Sequence, residues 1–194
     1  MAKAKKKSSV SKKKSAVKSK KKIIKKSTVK SKAKKTKKVM PIPKGYHSIT
    51  PYLIVGDGAK AIEFYQKAFG AKKVMRMEQP GGKIMHAELT IGDSKVMLAD
   101  GCPEMNAHTP EHFGGSPVTM HLYVKDVDAV VKRAVSAGAK LIRPVENMFY
   151  GDRSGGVEDP YGHHWYISTH VEEVTLAQVK KRAAELFGNK NPHE

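Results

Sequence analysis

The sequence predicts an α+β fold made of two β-α-β-β-β modules, because two similar stretches follow each other about 70 residues apart. Residues 48–57 open the first stretch and lead into a helical pattern that ends at Gly70. Residues 119–126 open the second stretch and lead into a helical pattern that ends near Gly138. We therefore expect two paired modules whose curved mixed sheets surround a cavity.

The first module is predicted over about residues 48–100. Its elements, in order, are a strand at 49–55, a helix at 59–69, and strands at 73–77, 84–91 and 95–99. Gly70 directly after the helix is typical of a C-cap, because glycine adopts the left-handed conformation without a steric penalty. Gly92 and Asp93 join the last two strands as the turn of a hairpin.

The second module is predicted over about residues 118–170. Its elements are a strand at 119–124, a helix at 128–137, and strands at 140–146, 151–158 and 163–169. The polar connection 101–117 is long for a simple turn, which is typical of linkers and of loops over binding sites. A last helix is predicted at 176–187, with Thr175 as its N-cap and Gly188 after its end. Its apolar side chains share one side, so we expect it to dock on the domain or on a partner chain.

A lysine-rich segment, residues 1–44, precedes the two modules and carries the positive charge of the chain. It holds 20 lysines, no arginine and no acidic residue, whereas residues 45–194 hold 17 basic and 18 acidic side chains. The segment has too few apolar side chains to offset the entropy of ordering it, so we expect a disordered tail. The chain is therefore divided into this tail, a two-module domain at 45–172 and a C-terminal helix region at 173–194.

The tail predicts non-specific binding to polyanions such as nucleic acid, with an affinity that falls steeply as salt is added. It has no aromatic residue for base stacking and no arginine for bidentate base contacts, so binding should not depend on base sequence. The alternative interpretation is an extension that only raises solubility. A membrane surface is a poorer partner, because the tail shows no amphipathic helix with an apolar face.

The composition also excludes several classes of protein. Cys102 is the only cysteine, so one chain can form neither a disulfide framework nor a thiolate zinc cluster, and without a placed base this thiol is expected to be unreactive. No apolar run approaches the roughly 20 residues of a membrane helix, and the N-terminus lacks the apolar region of a secretory signal. We therefore predict a cytoplasmic protein without a membrane partner, and association with the nucleoid through the tail is left open.

Five peptides in the two modules have the character of family motifs. They are Ile49–Val55, Ala61–Tyr65, Phe69–Ala71, His86–Asp93 and Gly151–Trp165. Together they resemble the vicinal oxygen chelate superfamily, which includes glyoxalase I, extradiol dioxygenases, fosfomycin-resistance enzymes and bleomycin-binding proteins. The resemblance covers residues 48–169. Within the superfamily, the chain is similar to the PhnB-like branch.

The resemblance implies a divalent metal that is held by four side chains and polarises two adjacent substrate oxygens. Placed on this sequence, the four positions are Thr50, Glu88, Thr119 and Tyr166. Only Glu88 is a good ligand, because threonine and tyrosine hydroxyls hold zinc or nickel poorly. The leading expectation is therefore that the protein uses no cofactor. An alternative, displaced metal site would consist of His86, Glu88, His121 and His164.

Strand alternation extends these positions to neighbouring side chains, because residues two apart share a sheet face. The predicted ligand-binding residues are Tyr52, His86, Glu88, His121, Tyr123, His164 and Tyr166. Arg153 is added as an anchor for a ligand anion, with a structural ion pair to Asp152 as the alternative. The opposite face is predicted to pack as core beneath the helices, through Leu53, Val55, Leu122, Val124, Trp165 and Ile167.

These features predict a PhnB-like protein that binds a small organic ligand in the cavity between its modules, with Glu88 orienting the ligand or accepting a proton. The two alternatives are a metal-dependent lyase or isomerase of glyoxalase type, and a nucleic-acid-associated protein that acts through its tail. The resemblance also implies a homodimer. His163 and His170 are expected at the surface or in turns, and Pro110 is expected to prevent a helix at 108–112.

Overall fold

The structure, a computed structural model, describes residues 39–188. These residues form eight strands and three α-helices. The first module consists of β1 (Tyr52–Val55), α1 (Gly58–Phe69), β2 (Lys72–Glu78), β3 (Ile84–Ile91) and β4 (Ser94–Asp100). The second consists of β5 (Thr119–Tyr123), α2 (Val127–Ser136), β6 (Lys140–Asn147), β7 (Asp152–Glu158) and β8 (His164–His170), and α3 (Leu176–Phe187) follows. Residues 1–38 and 189–194 lie outside the described residues, and with them most of the tail that was predicted to be disordered.

Each module forms one four-stranded mixed sheet. The strand orders are β1-β4-β3-β2 in the first sheet and β5-β8-β7-β6 in the second. In both sheets the first strand pairs parallel with the last, and the other pairs are antiparallel. The predicted α+β class and the two repeated modules are therefore confirmed. The first strand begins at Tyr52 rather than Ile49, because Pro51 has no amide hydrogen to offer to the ladder.

The two module helices begin with the same kind of cap, as expected for repeated units. Asp57 caps α1 by accepting a hydrogen bond from the backbone amide of Lys60 at 3.0 Å. Asp126 caps α2 by accepting one from the backbone amide of Ala129 at 3.0 Å. Gly70 ends α1 in the left-handed conformation, with a φ of 67°, which confirms the predicted C-cap.

The core lies between the helices and one face of each sheet. Phe64, Tyr65 and Phe69 of α1 are buried, and the ring centroid of Phe69 is 4.7 Å from that of Trp165 on β8. Aromatic contacts of this kind join the two modules in one core. The predicted core residues confirm the strand alternation. Leu53, Val55, Trp165 and Ile167 are buried, and Leu122 and Val124 pack against them partly buried.

A buried carboxylate, Asp159, ties the turn before β8 to this core. Its oxygens accept hydrogen bonds from the Tyr65 hydroxyl at 2.7 Å, the Trp165 indole at 3.0 Å, and the backbone amides of Tyr161 and His163 at 2.9 and 3.0 Å. Burial and the adjacent Asp159 carboxylate raise the pKa of Tyr65 well above its ordinary value, so its hydroxyl remains a donor. One carboxylate thus links a helix of the first module to a strand of the second.

His163 is buried, so the expectation of a surface position is wrong, although the residue does close the turn that begins at Asp159. Only 7% of the residue is exposed, and its Nε2 lies 3.1 Å from the backbone oxygen of Ile54 on β1. The turn around Asp159 therefore closes over the end of a strand from the other module. That contact joins residues more than a hundred positions apart, and no local pattern signals it.

The connection between the modules, residues 101–117, contains two short 3-10 helices, Pro103–Met105 and Pro110–Phe113. Pro110 does not prevent a helix after itself, because proline is accepted at the first helical position, where its missing amide hydrogen is not needed. The helix begins at Pro110, so none runs over 108–112 as a whole, in agreement with the expectation. The rings of His108 and His112 stack with their centroids 4.0 Å apart.

The faces of the two sheets that are turned away from α1 and α2 carry exposed side chains. We call them the open face of the first sheet and the open face of the second sheet. Tyr52 is 48% and Met77 is 49% exposed on the first, and Tyr123 is 62% and Tyr166 is 37% exposed on the second. Exposed apolar surface of this extent is typical of ligand or interaction sites.

The last helix, α3, begins at the predicted residue. Thr175 and Gln178 bind each other's backbone amides in a capping box. The ring centroid of Phe187 lies 5.9 Å from that of Phe149, so the end of α3 contacts the loop after β6, while Leu176 remains exposed. Of the helices between residues 39 and 188, none is both long and apolar enough to cross a membrane.

Candidate functional site

A cross-strand row on the open face of the first sheet takes one residue from each strand. In the register of the sheet, Tyr52 lies beside Met97, Met97 beside Glu88, and Glu88 beside Met75. Cross-strand neighbours contact one another through their side chains. Glu88 therefore places a carboxylate between two thioether side chains in the middle of the sheet.

Tyr52, His86 and Glu88 form a hydrogen-bonded group on this face, which we call the Tyr52–His86–Glu88 group. The Tyr52 hydroxyl lies 3.0 Å from Nδ1 of His86, and Nε2 of His86 lies 3.5 Å from Oε1 of Glu88. The side chains of His86 and Glu88 are 22% and 15% exposed. The structure thus brings together three of the predicted ligand-binding residues.

Tyr46, which no sequence pattern singled out, lies over this group. Its hydroxyl donates a hydrogen bond to the Glu88 carboxylate, and the Lys95 ammonium lies 5.6 Å from the centroid of its ring. The hydrogen bond from Tyr46 is the largest cause that lowers the pKa of Glu88 below its ordinary value. Burial opposes it, and His86 and Lys95 make smaller lowering contributions. Glu88 is therefore an ionised acceptor at neutral pH.

On the open face of the second sheet, the predicted residues form separate pairs. The rings of His121 and Tyr123 have their centroids 4.8 Å apart. Nε2 of His164 lies 3.2 Å from a carboxylate oxygen of Glu158. Tyr166 lies across from Gly156, where a Cβ would come within 3.0 Å of its ring. These side chains belong to one sheet face but share no hydrogen-bonded centre.

Within residues 39–188, the predicted ligand-binding residues line separate cavities, and their joint role in one pocket stays a prediction. Tyr52 lines a cavity of about 480 Å³ within the first module, and Glu88 lines one of about 450 Å³ beneath Tyr46. His121 and Tyr123 line a third, of about 500 Å³, where the modules adjoin. Both sheets turn their helix-covered faces toward the common core, so their open faces do not meet within one chain.

Arg153 lies away from these cavities, on the side of β7 that faces α2. Its Nε and Nη2 each lie 2.7 Å from a carboxylate oxygen of Asp128, and its Nη1 lies 3.2 Å from Oδ1 of Asn147. A structural ion pair therefore occupies the guanidinium, although its partner is Asp128 and not Asp152. The role of Arg153 as an anchor for a ligand anion stays a prediction.

Asp152 is buried at one end of the open face of the second sheet, where two side chains bind it. The Tyr123 hydroxyl donates to one carboxylate oxygen at 2.8 Å, and Nδ1 of His170 lies 2.8 Å from the other. His170 is half-exposed, in agreement with the expectation of a surface position. Its partner is nevertheless 4% exposed, so the histidine binds a carboxylate that water hardly reaches.

This contact predicts a pH-dependent contribution to stability. The hydrogen bond that His170 donates to the Asp152 carboxylate raises the pKa of His170 above its ordinary value, with Glu173 as a further cause. A raised pKa in the folded state stabilises the fold below the unfolded pKa of about 6.5, and the contribution is lost as the pH rises through the folded pKa. We therefore expect His170→Gln to lower the free energy of unfolding more at about pH 5.5 than at about pH 8.5.

Chemical denaturation of the wild type and of His170→Gln at the two pH values measures this difference. His112→Gln is the matched control, because His112 lies in the exposed connection between the modules and stacks on another histidine. An equal effect of His170→Gln at both pH values would contradict the assigned role of the Asp152 contact.

The side chains present do not fit the metal that the resemblance implied. Of the four family positions, only Glu88 offers a strong ligand, and Thr119 and Tyr166 lie on the other sheet. Within residues 39–188, no group of three or more His, Cys, Asp or Glu side chains is placed to hold a metal ion. The alternative set is also divided, since His86 and Glu88 lie on the first sheet while His121 and His164 lie on the second.

Sequence reasoning missed one residue of these clusters, Tyr46, and the pairing of two others, Asp152 and His170. Tyr46 precedes the first strand by six positions, and its only signal is that it is the single Phe, Trp or Tyr before that strand. Asp152 and His170 were each considered, but not as partners. Their pairing follows from the register of β7 and β8, which places them opposite each other.

Two β-α-β-β-β modules with a parallel first and last strand, and a carboxylate on the open face of the first sheet, define a protein of the vicinal oxygen chelate class. A family model described as the Glyoxalase/Bleomycin resistance protein/Dioxygenase superfamily matches residues 45–167. The chain belongs to this superfamily.

Similar proteins support the assignment over the same part of the chain. An uncharacterized protein of Mycobacterium bovis is 45% identical over 136 residues, which is 69% of this chain and 90% of the relative. The crystal structure of TioX from Micromonospora sp. ML1 superposes with a TM-score of 0.52 at 27% identity, over 63% of this chain and 98% of TioX. A PhnB protein from Bacillus cereus superposes with a TM-score of 0.50 at 18% identity, over 63% and 99% of the two chains, and thus shares the fold.

Proposed function

We propose that this protein binds a small organic ligand on the open face of the first sheet, at the Tyr52–His86–Glu88 group, without a metal ion. The observation that carries the proposal is an ionised carboxylate, 15% exposed, that lies in a hydrogen-bonded polar group between methionine side chains. Sites for small molecules are mostly apolar surfaces with a few fixed polar groups. This part of the sheet has that composition.

Glu88 is proposed to orient the ligand rather than to remove a proton from it. Its pKa is lowered, chiefly by the hydrogen bond from Tyr46, and an acceptor with a low pKa is a weak general base at neutral pH. A hydrogen bond to an ionised, partly buried carboxylate is among the stronger polar contacts in proteins. The ligand is therefore expected to carry a hydrogen-bond donor.

The rest of the ligand is proposed to lie toward Tyr52. The cavity of about 480 Å³ beside it is within the size range of small-molecule sites. Its apolar lining includes Ile54, Ile84, Met85 and Met105. Methionine side chains adapt to the shape of a bound group, so this surface suits an apolar ligand body of variable outline.

A second copy of the chain is proposed to cover the open faces, which gives the homodimer that the resemblance implied. In one chain, about half of Met85 and of Met77 on the first sheet is exposed, and more than half of Tyr123 on the second. Surfaces of this kind favour association. The enclosed cavity that was expected between two modules of one chain would then form between modules of two chains.

The ligand proposal is tested by a thermal-shift screen of small organic molecules, because a ligand that binds only the folded state raises its melting temperature. Compounds that stabilise the wild type are expected to lose their effect on Glu88→Gln, which keeps the shape and removes the charge. Glu63→Gln is the matched control, since Glu63 is exposed on α1 and, among residues 39–188, forms its salt bridge with Lys67. Compounds that stabilise Glu88→Gln as well as the wild type would contradict the proposed site.

We propose separately that residues 1–44 bind polyanions without sequence preference. Twenty lysines without a single acidic residue support this, although residues 1–38 lie outside the described part of the chain. The logarithm of the affinity should fall linearly with the logarithm of the salt concentration, with a slope of about −0.9 for each phosphate that the tail neutralises.

A gel-shift titration of a mixed-sequence DNA duplex tests the tail, with the full chain compared with a chain that lacks residues 1–44. The full chain is expected to bind at low salt and to release the duplex as salt is added, and the shortened chain is expected not to bind. Equal binding by both chains would contradict the proposal.

A further inference from the structure

The segment that leads into β1 folds back over the open face of the first sheet. We call residues 41–48 the strap. Together with Glu88, Thr50 and Met97, it lines the cavity of about 450 Å³ that contains the site carboxylate. The strap turns on itself through a hydrogen bond from the backbone amide of Tyr46 to the backbone oxygen of Pro43 at 3.1 Å.

Tyr46 is the side chain of the strap that reaches the site. Its phenol hydroxyl donates to the Glu88 carboxylate, and its ring lies near the Lys95 ammonium in a cavity that Met97 also lines. The ammonium of Lys95 is held by the Thr90 hydroxyl at 2.9 Å, so the cation over the ring has a fixed position. Glu88 thus offers a charged acceptor to a phenol, and the surroundings offer apolar and cationic contacts to its ring.

The strap is weakly anchored apart from this contact. Pro41, Ile42, Pro43, His47 and Ser48 are all exposed, whereas Tyr46 is partly buried. Segments with few buried contacts open at low free-energy cost. An external molecule that makes the same contacts as Tyr46 can therefore replace it.

We infer that the site binds phenols and related aryl alcohols, and that Tyr46 occupies the position of the ligand's hydroxyl-bearing ring in the free protein. This inference rests on the proposed function, because it names the chemical class of ligand for the same site. The ligand's hydroxyl donates to Glu88, its ring lies against Met97, and the strap moves aside when it binds. Because the Tyr46 side chain occupies the site in the free protein, only ligands that bind Glu88 more favourably than this side chain can displace it.

The inference is tested with 4-methylphenol, which reproduces the side chain of tyrosine, as the probe. Its dissociation constant is measured by ligand-observed NMR titration with the full chain and with Tyr46→Ala. Tyr46→Ala is expected to bind the probe about tenfold or more tightly than the wild type, because the competing internal phenol is gone and a charged hydrogen-bond acceptor is free. Tyr46→Ser serves the same purpose if the alanine variant does not fold.

Three comparisons make the result specific. Tyr150→Ala, which removes a tyrosine from the loop after β6, is expected to bind the probe as weakly as the wild type. The double variant Tyr46→Ala with Glu88→Gln is expected to lose the gain in affinity. 4-Methylanisole, which has no donor hydrogen, is expected to show no gain with Tyr46→Ala.

Equal affinities of the wild type and Tyr46→Ala for 4-methylphenol would overturn the inference, and so would an equal gain for 4-methylanisole. The failure of the inference is distinguishable from that of the proposed function. Non-phenolic compounds that stabilise the wild type and not Glu88→Gln would keep the ligand site at Glu88 while overturning its assignment to phenols.

Discussion

Asp159→Ala is expected to lower the free energy of unfolding by about 4 kcal/mol, the largest effect of any single substitution considered for this protein. The carboxylate accepts hydrogen bonds from two side chains and two backbone amides, and it is 3% exposed. Alanine would leave all four donors without this partner, three of them in buried positions that water does not reach and the Tyr161 amide in a partly buried one. Each unsatisfied buried donor costs about 1–3 kcal/mol, although structural relaxation reduces the sum.

Urea denaturation of the wild type and Asp159→Ala measures this loss. Asp57→Ala is the matched control, because Asp57 is a more exposed N-cap whose loss is expected to cost about 1 kcal/mol. A loss for Asp159→Ala that does not exceed that of Asp57→Ala would contradict the assigned role of Asp159. The prediction also concerns the fold as a whole, because this carboxylate joins α1 of the first module to β8 of the second.

Gly151→Ala is expected to lower the free energy of unfolding by about 3 kcal/mol. Gly151 has a φ of 100°, and a Cβ at this position would lie 2.2 Å from the backbone oxygen of Glu172. Its own carbonyl oxygen accepts hydrogen bonds from the backbone amides of Val171 and Glu172 at 3.0 and 2.9 Å. The added methyl group would therefore push apart the start of β7 and the segment that follows β8.

Gly114→Ala separates the two causes of this effect. Gly114 also has a positive φ, of 75°, but a Cβ there would meet no atom within 4 Å. Its substitution is expected to cost about 1 kcal/mol through backbone strain alone. If Gly151→Ala costs no more than Gly114→Ala in the same denaturation measurement, the close approach of Glu172 is not a constraint on the fold.

The fold was predictable from the sequence because its signals are local and occur twice. Asp57 and Asp126 cap the two module helices in the same way, and alternation along β1 and β8 separated core from open face correctly, as Leu53 and Trp165 show. The bounds of α3 were also predicted, since Thr175 and Gly188 are strong helix signals. Periodicity and capping depend on neighbours in the chain, so they can be read without the structure.

The candidate site was predictable only in part, because it depends on contacts between distant residues. Strand alternation placed Tyr52, His86 and Glu88 on one face correctly. It could not show whether this face would lie close to the open face of the second sheet. Arg153 illustrates the limit, since its partner Asp128 lies on a helix 25 positions earlier in the chain. Tyr46 reaches Glu88 from a segment without any periodic pattern, which left it without a sequence signal.

The central claim is that the protein binds an organic ligand at Glu88 without a metal ion. Native mass spectrometry of the full chain, purified without chelator or added metal, tests it most directly. We expect a mass excess that matches an organic molecule and that is absent from Glu88→Gln. A mass excess of one divalent metal ion per chain, lost in the same variant, would contradict it.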